Sequence, residues 1–228
     1  DPALKYRDEF LRVDVPARYD ACDLAAAGLA LAVRLGPHHA TSPRFDPAVI
    51  RRAWTDRRIR LAYAGYFGHM WELYSMWAWI AVIAAVSYAR HMPEERAATL
   101  ASVTAFVSIA AGAVMSVLAG WRADRVGKAR VALFAMAVSG ACAILTAVAF
   151  GGPVWIFFLV VVVWGASISP DSAQFSALVA DNSPGHQAGS LMTLQTALGF
   201  AMTFFTVQAT PVLAEWWGWP PVIATASL

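Results

Sequence analysis

Residues 97–120 read AATLASVTAFVSIAAGAVMSVLAG, a run without a single Asp, Glu, Lys or Arg. Crossing a bilayer takes about 20 mostly apolar helical residues, because the hydrocarbon core is about 30 Å thick and a helix rises about 1.5 Å per residue. This run is long enough, and a soluble surface helix of that length would carry a charged face. Outward from it the pattern repeats: Lys and Arg are also absent from Leu61 to Ala89 and from Val131 to the end of the chain. Over the 228 residues 14% are charged and 59% apolar, against about 25% and 45–50% in soluble domains. One soluble core could not hide that much apolar surface. The reading is an all-α, polytopic transmembrane helix bundle.

Five spans are predicted: Leu61–Tyr88, Ala98–Gly120, Val131–Phe150, Val154–Ala180 and Gly189–Leu213. Between them stand RHMPEER at 90–96, a basic loop at 121–130, and the breaker-rich turns GGP at 151–153 and DNSPG at 181–185. Glu215, the tryptophans 216, 217 and 219, and Pro220–Pro221 read as an interfacial aromatic anchor. Val222–Leu228 then reads as the start of a further helix. Residues 1–60 are expected to form a cytoplasmic connector. Within it Ala21–Val33 is apolar for only half a bilayer thickness and holds Asp23, so it reads as a helix stub or a surface piece. The first twenty residues, with Asp8, Glu9 and Asp14, lack the apolar centre of a secretory signal. The two cysteines, Cys22 and Cys142, give no disulfide framework, since Cys142 falls mid-span.

Orientation follows from the basic residues. The segment 34–60, the loop 121–130 and the turn 181–188 alternate onto one side and hold eleven Lys/Arg, against Arg90 and Arg96 on the other. The richer side is expected to be cytoplasmic. A net charge of +2 in short clusters beside apolar runs fits membrane orientation and gives no basic stripe for nucleic acid. In the second span Thr104, Ser108, Gly112, Ser116 and Gly120 recur every four residues. Lipid offers no hydrophobic drive between helices, so such a ladder marks a close helix–helix seam.

The loop after that span reads Gly120-Trp121-Arg122-Ala123-Asp124-Arg125-Val126-Gly127-Lys128-Ala129-Arg130. Gly120 would let the helix end approach a neighbour, Gly127 would permit a tight turn, and the cations would hold the loop at the cytoplasmic surface. Asp124 can pair with a nearby Arg or meet a helix N-terminus. The stretch resembles the G-x-x-x-D-R-x-G-(R/K)-x-(R/K) loop of the major facilitator superfamily at every signature position. That resemblance covers roughly residues 34–228 and implies the second six-helix half of a secondary transporter, with the last helix incomplete and an N-terminal half as its partner. It implies a latch role for the loop, carried by Gly120, Asp124, Arg125, Gly127, Lys128 and Arg130. It also implies a solute site between two halves.

Ionisable groups within a bilayer are costly and therefore functional candidates. Here they are His69, Glu72 and Asp171. His69 and Glu72 stand three apart on a face shared with Gly65, Gly68 and Trp79, and read either as a proton-coupling pair or as polar groups bridging two helices. Asp171 follows Pro170 and marks a hinge or a cavity wall. On the fifth span Gln195, Gly199, Thr203 and Thr206 share one stripe that could hydrogen-bond a solute or a neighbouring helix. His69, Glu72, Trp79, Asp171, Gln195 and Thr203 are the expected substrate or proton pathway. With no Lys or Arg inside the spans, a neutral, cationic or mixed organic solute is favoured over a small inorganic anion. No metal or cofactor is expected, because His-x-x-Glu alone supplies only two ligands. The partners expected are lipid, solute and the other half. An intramembrane enzyme lacks a framing motif such as a nucleophile elbow, and no phosphate-binding loop indicates an ATP-driven pump. An oligomeric channel or scaffold of half-length chains is the other alternative.

Overall fold

A computed structural model describes residues 48–227. The stub at 21–33, Cys22 and the connector up to residue 47 lie outside the described residues. Among the described residues there is no strand. The elements are α1 (Ala48–Thr55), α2 (Arg57–Tyr88), α3 (Glu94–Val126), α4 (Lys128–Ala149), α5 (Val154–Ile168), α6 (Ser172–Asp181), α7 (Gly185–Trp217), α8 (Trp219–Ala224) and a 3-10 turn, Thr225–Ser227. Among the described residues, five spans are long and apolar enough to cross a membrane, with α5 and α6 together counting as one. The chain is an all-α polytopic membrane bundle.

Packing is inverted relative to a soluble bundle. Phe106, Val117, Leu133, Phe134 and Val148 are at least 70% exposed, while Thr104, Ser108, Ser139, Gln195 and Thr206 are buried. Large apolar side chains thus face outward, where lipid would meet them, and small or polar groups line the helix contacts. The most enclosed span is α2, set among α3, α6 and α7. Among the described residues the small-residue ladder is used over its first three rungs. Gly112 lies against Gly165 and Ser169, and a Cβ on it would meet the Gly165 carbonyl at 2.6 Å. Gly165 in turn abuts Ser108.

Several boundaries differ from the sequence reading. The connector becomes helical at α1, whose Val49 and Ala53 bury against Ile59, Tyr63 and Leu191. α2 begins four residues before Leu61 because Asp56 caps it, accepting from the Arg58 and Ile59 amides at 2.9 and 3.4 Å. α3 runs through most of the expected loop to Val126, and Gly127, at φ +97°, is the single residue between it and α4. The helix end is therefore not at Gly120, and a Cβ there would meet nothing within 4 Å. The close-approach role expected of Gly120 is not seen, whereas the turn role of Gly127 is. Charged residues at helix ends reach the interface along their stems, so the spans outlast the charge-free windows.

The fourth span is broken rather than merely kinked. α5 stops at Ile168 and α6 restarts at Ser172, since Pro170 lacks an amide hydrogen and its ring displaces the preceding turn. At the other end Gly218, at φ +79°, turns the chain after α7, and α8 folds back against α4. Trp219 accordingly leaves the expected aromatic anchor: it is buried and its ring centroid lies 6.3 Å from that of Trp79. Trp216 and Trp217 remain exposed.

The two ends of the bundle carry different charge. At one, His91 Nε2 lies 3.0 Å from the Gly151 carbonyl and Arg90 sits 5.1 Å over the Phe150 ring. At the other, Lys128 pairs with Asp181 at 2.5 Å and Arg52 donates to Gln187 Oε1 at 2.7 Å. Nine of the described Lys and Arg belong to this second end and two to the first.

Candidate functional site

Polar groups on α2 point into the bundle at the level of the α5–α6 break. Glu72 is held on both carboxylate oxygens: the Trp164 indole donates to Oε1 at 2.7 Å and the Ser139 hydroxyl donates to Oε2 at 3.0 Å. Trp164 comes from α5 and Ser139 from α4, so one carboxylate ties three helices. The Ser139 hydroxyl also lies 3.2 Å from the Met136 carbonyl.

These partners allow two protonation states without rearranging helices. An indole only donates, so a proton on Glu72 finds no acceptor at Trp164. It can sit on Oε2 and donate to Ser139, whose hydroxyl then turns to the Met136 carbonyl. Ionised Glu72 accepts from Ser139; protonated Glu72 gives to it. A buried carboxyl with this option can hold or release a proton.

One turn earlier, His69 faces Asp171 rather than Glu72. His69 Nδ1 lies 2.9 Å from Asp171 Oδ1, within ion-pair distance. The ring N–H is not in line with the oxygen, and neither atom makes a hydrogen bond. Asp171 stands at the N-cap position of α6 yet its side chain does not cap that helix; the carboxylate is turned across the bundle. His69 lies between Tyr66 and Phe175, with ring centroids 6.2 and 6.1 Å away. Glycines make this approach feasible: a Cβ on Gly199 of α7 would meet Tyr66 Cε1 at 2.5 Å. His69 Nε2 has no partner among the described residues, and His69 is 1% exposed.

The stripe on α7 is real, with Gln195, Gly199, Thr203, Thr206 and Thr210 all buried. Its members differ in what they offer. Thr203 donates to the Phe200 carbonyl at 2.8 Å, and Thr206 and Thr210 also turn back onto their own helix. Gln195 is fully buried, with neither amide atom bonded among the described residues. An unmet buried polar group costs about 1–3 kcal/mol, so Gln195, His69 and Asp171 Oδ1 are groups here with hydrogen-bonding capacity left for a ligand or water.

Trp79 belongs elsewhere. Its indole donates to the Val207 carbonyl at 3.1 Å. That carbonyl would ordinarily bond the amide four residues on, and Pro211 has none. Trp79 therefore repairs a gap in α7 and joins α2 to it. In the α3–α4 segment, Asp124 is exposed and makes no ion pair among the described residues, while Arg125 lies 3.8 Å over the Trp121 ring and Lys128 holds Asp181.

Sequence reasoning found His69, Glu72, Asp171 and Gln195 through their polarity in apolar runs. It paired His69 with Glu72, whereas packing gives each a different partner. Ser139 and Trp164 were missed: a serine and a tryptophan in a span carry no signal until the helices are rotated into place. The class defined by fold and site is a polytopic α-helical membrane protein with a buried ionisable cluster at a helix break. No family model, curated protein or solved structure matches the chain.

Proposed function

We propose that this chain is the second half of a secondary active transporter of major-facilitator type, moving a small organic solute by alternating access with proton coupling. The observation that carries the reading is the placement of Glu72, His69 and Asp171, buried together beside an interrupted span. Ionisable groups in membrane interiors mark ion and proton pathways, and broken helices mark transporter sites. The Gly127 turn with its Asp-Arg and Lys-x-Arg residues adds the latch of that family. On this reading Glu72 carries the proton, and the His69–Asp171 pair responds to it one turn away. Gln195 offers its amide to the solute, and an N-terminal six-helix half supplies the facing wall. The cluster calls for no catalytic nucleophile, so transport is preferred to an intramembrane reaction. The excess of basic residues at the Lys128–Asp181 end favours a cytoplasmic side for that end, and the inner membrane of a bacterium suits such a protein.

The test is proton movement on solute addition. Proteoliposomes holding the chain with its other half and a trapped pH dye are challenged with neutral and cationic organic solutes, with no gradient imposed. A solute-dependent change in internal pH that protonophore abolishes is expected. A solute-independent ion conductance would instead indicate a channel and overturn the reading.

A further inference from the structure

A second feature lies on the outer surface. Between the Gly127-proximal halves of α3, α4 and α5 runs a groove of about 650 Å³. Its walls include Met115, Phe134, Val138 and Val163, and it is overwhelmingly apolar. From Arg130 to Val138 it follows α4 over nine residues, or about 12 Å of helix rise. Arg122 and Arg130 line it at the end where α3 meets α4. The four cations of this segment are not equivalent. Arg125 is stacked on Trp121 and Lys128 is paired with Asp181. Arg122 and Arg130 have no carboxylate partner among the described residues. Trp121, which also lines the groove, is 59% exposed, and tryptophan favours the headgroup level of a bilayer.

We propose that this groove is a binding site for an anionic phospholipid, with an acyl chain against the apolar walls and the headgroup phosphate between Arg122 and Arg130. Charge complementarity selects the occupant. An apolar trench ending in two unpaired guanidinium groups at the membrane interface matches an amphiphile with a terminal anion, and guanidinium binds phosphate in a forked geometry. The site does not depend on the transport reading and holds for any membrane protein with this surface.

Native mass spectrometry of the purified chain in detergent, with phosphatidylglycerol or phosphatidylcholine added, tests it. Wild-type chain is expected to retain phosphatidylglycerol over phosphatidylcholine. Each basic residue near a membrane surface is worth about 1 kcal/mol toward anionic lipid, about fivefold. R122Q and R130Q together should therefore lower phosphatidylglycerol retention about 25-fold. Val138→Trp, which fills the trench, should lower retention of both lipids. Circular dichroism and an unchanged elution volume establish that the variants fold. Equal retention of the two lipids, or retention unaffected by the arginine pair or by Val138→Trp, would overturn the proposal. So would displacement of the lipid by inorganic phosphate alone, or a dimer that Val138→Trp dissolves while lipid retention stays the same; the latter would make the groove an interface between copies.

Discussion

At the scale of single residues, the site depends on side chains that satisfy one another across helices. Trp79 completes the hydrogen bonding of α7 where Pro211 cannot. Trp79→Phe keeps the ring and removes the donor, leaving the Val207 carbonyl unmet, and should destabilise the bundle by about 1–3 kcal/mol. Thermal unfolding in detergent measures this; an unchanged midpoint would mean that another donor reaches Val207. Ser139 has a different task, since its hydroxyl can both give to and take from Glu72. Ser139→Ala should lower proton-driven uptake about tenfold, the worth of one hydrogen bond to a charged group, without altering solute exchange at equal pH. Uptake and exchange falling together would indicate simple misfolding. At this scale the sequence was half informative. A histidine, two carboxylates and a glutamine in apolar runs were conspicuous, but their partners depend on how each helix is rotated. Asp171 could not be read as His69's partner when both a hinge and a cavity wall suited its position.

At the scale of elements, helix contacts are set by small residues. The α3–α5 seam joins Ser108 and Gly112 to Gly165, where any added methyl group meets backbone. Gly165→Ala should cost about 1–3 kcal/mol by overpacking. Gly120→Ala, on the same ladder but facing open space, should be neutral or stabilising by up to about 1 kcal/mol. Comparing the two melting curves separates seam from periodicity, and equal losses would mean that the ladder packs along its full length. The ladder itself was legible from its four-residue spacing. Its useful extent was not, because α5 ends at Ile168, level with the contact of Gly112 on Ser169, and no residue of α3 records where its neighbour stops. Helix ends were misplaced for a related reason. Arg57, Arg58, Arg122 and Arg125 look like loop residues by charge, yet each lies within a helix whose end reaches the interface.

At the scale of the whole molecule, membrane character was written in the spacing of charge, and the five spans follow it. The distribution of cations between the two ends gives an orientation that can be measured. With Cys22 and Cys142 replaced by serine, a cysteine placed at Glu94 should react with an impermeant maleimide added outside intact cells, and one at Ala129 should not. The reverse pattern would invert the topology. The coupling role proposed for Glu72 ties the site to the fold, and one substitution examines it. Glu72→Gln preserves the acceptance from Trp164 at the amide oxygen but cannot gain or lose a proton. Accumulation of solute under an imposed proton gradient, measured beside solute exchange at equal pH in proteoliposomes containing both halves, is the decisive comparison. Accumulation should disappear while exchange persists, because exchange needs no net proton movement. A Glu72→Gln protein that still concentrates its solute would contradict the account and leave Glu72 as a polar tie between α2, α4 and α5.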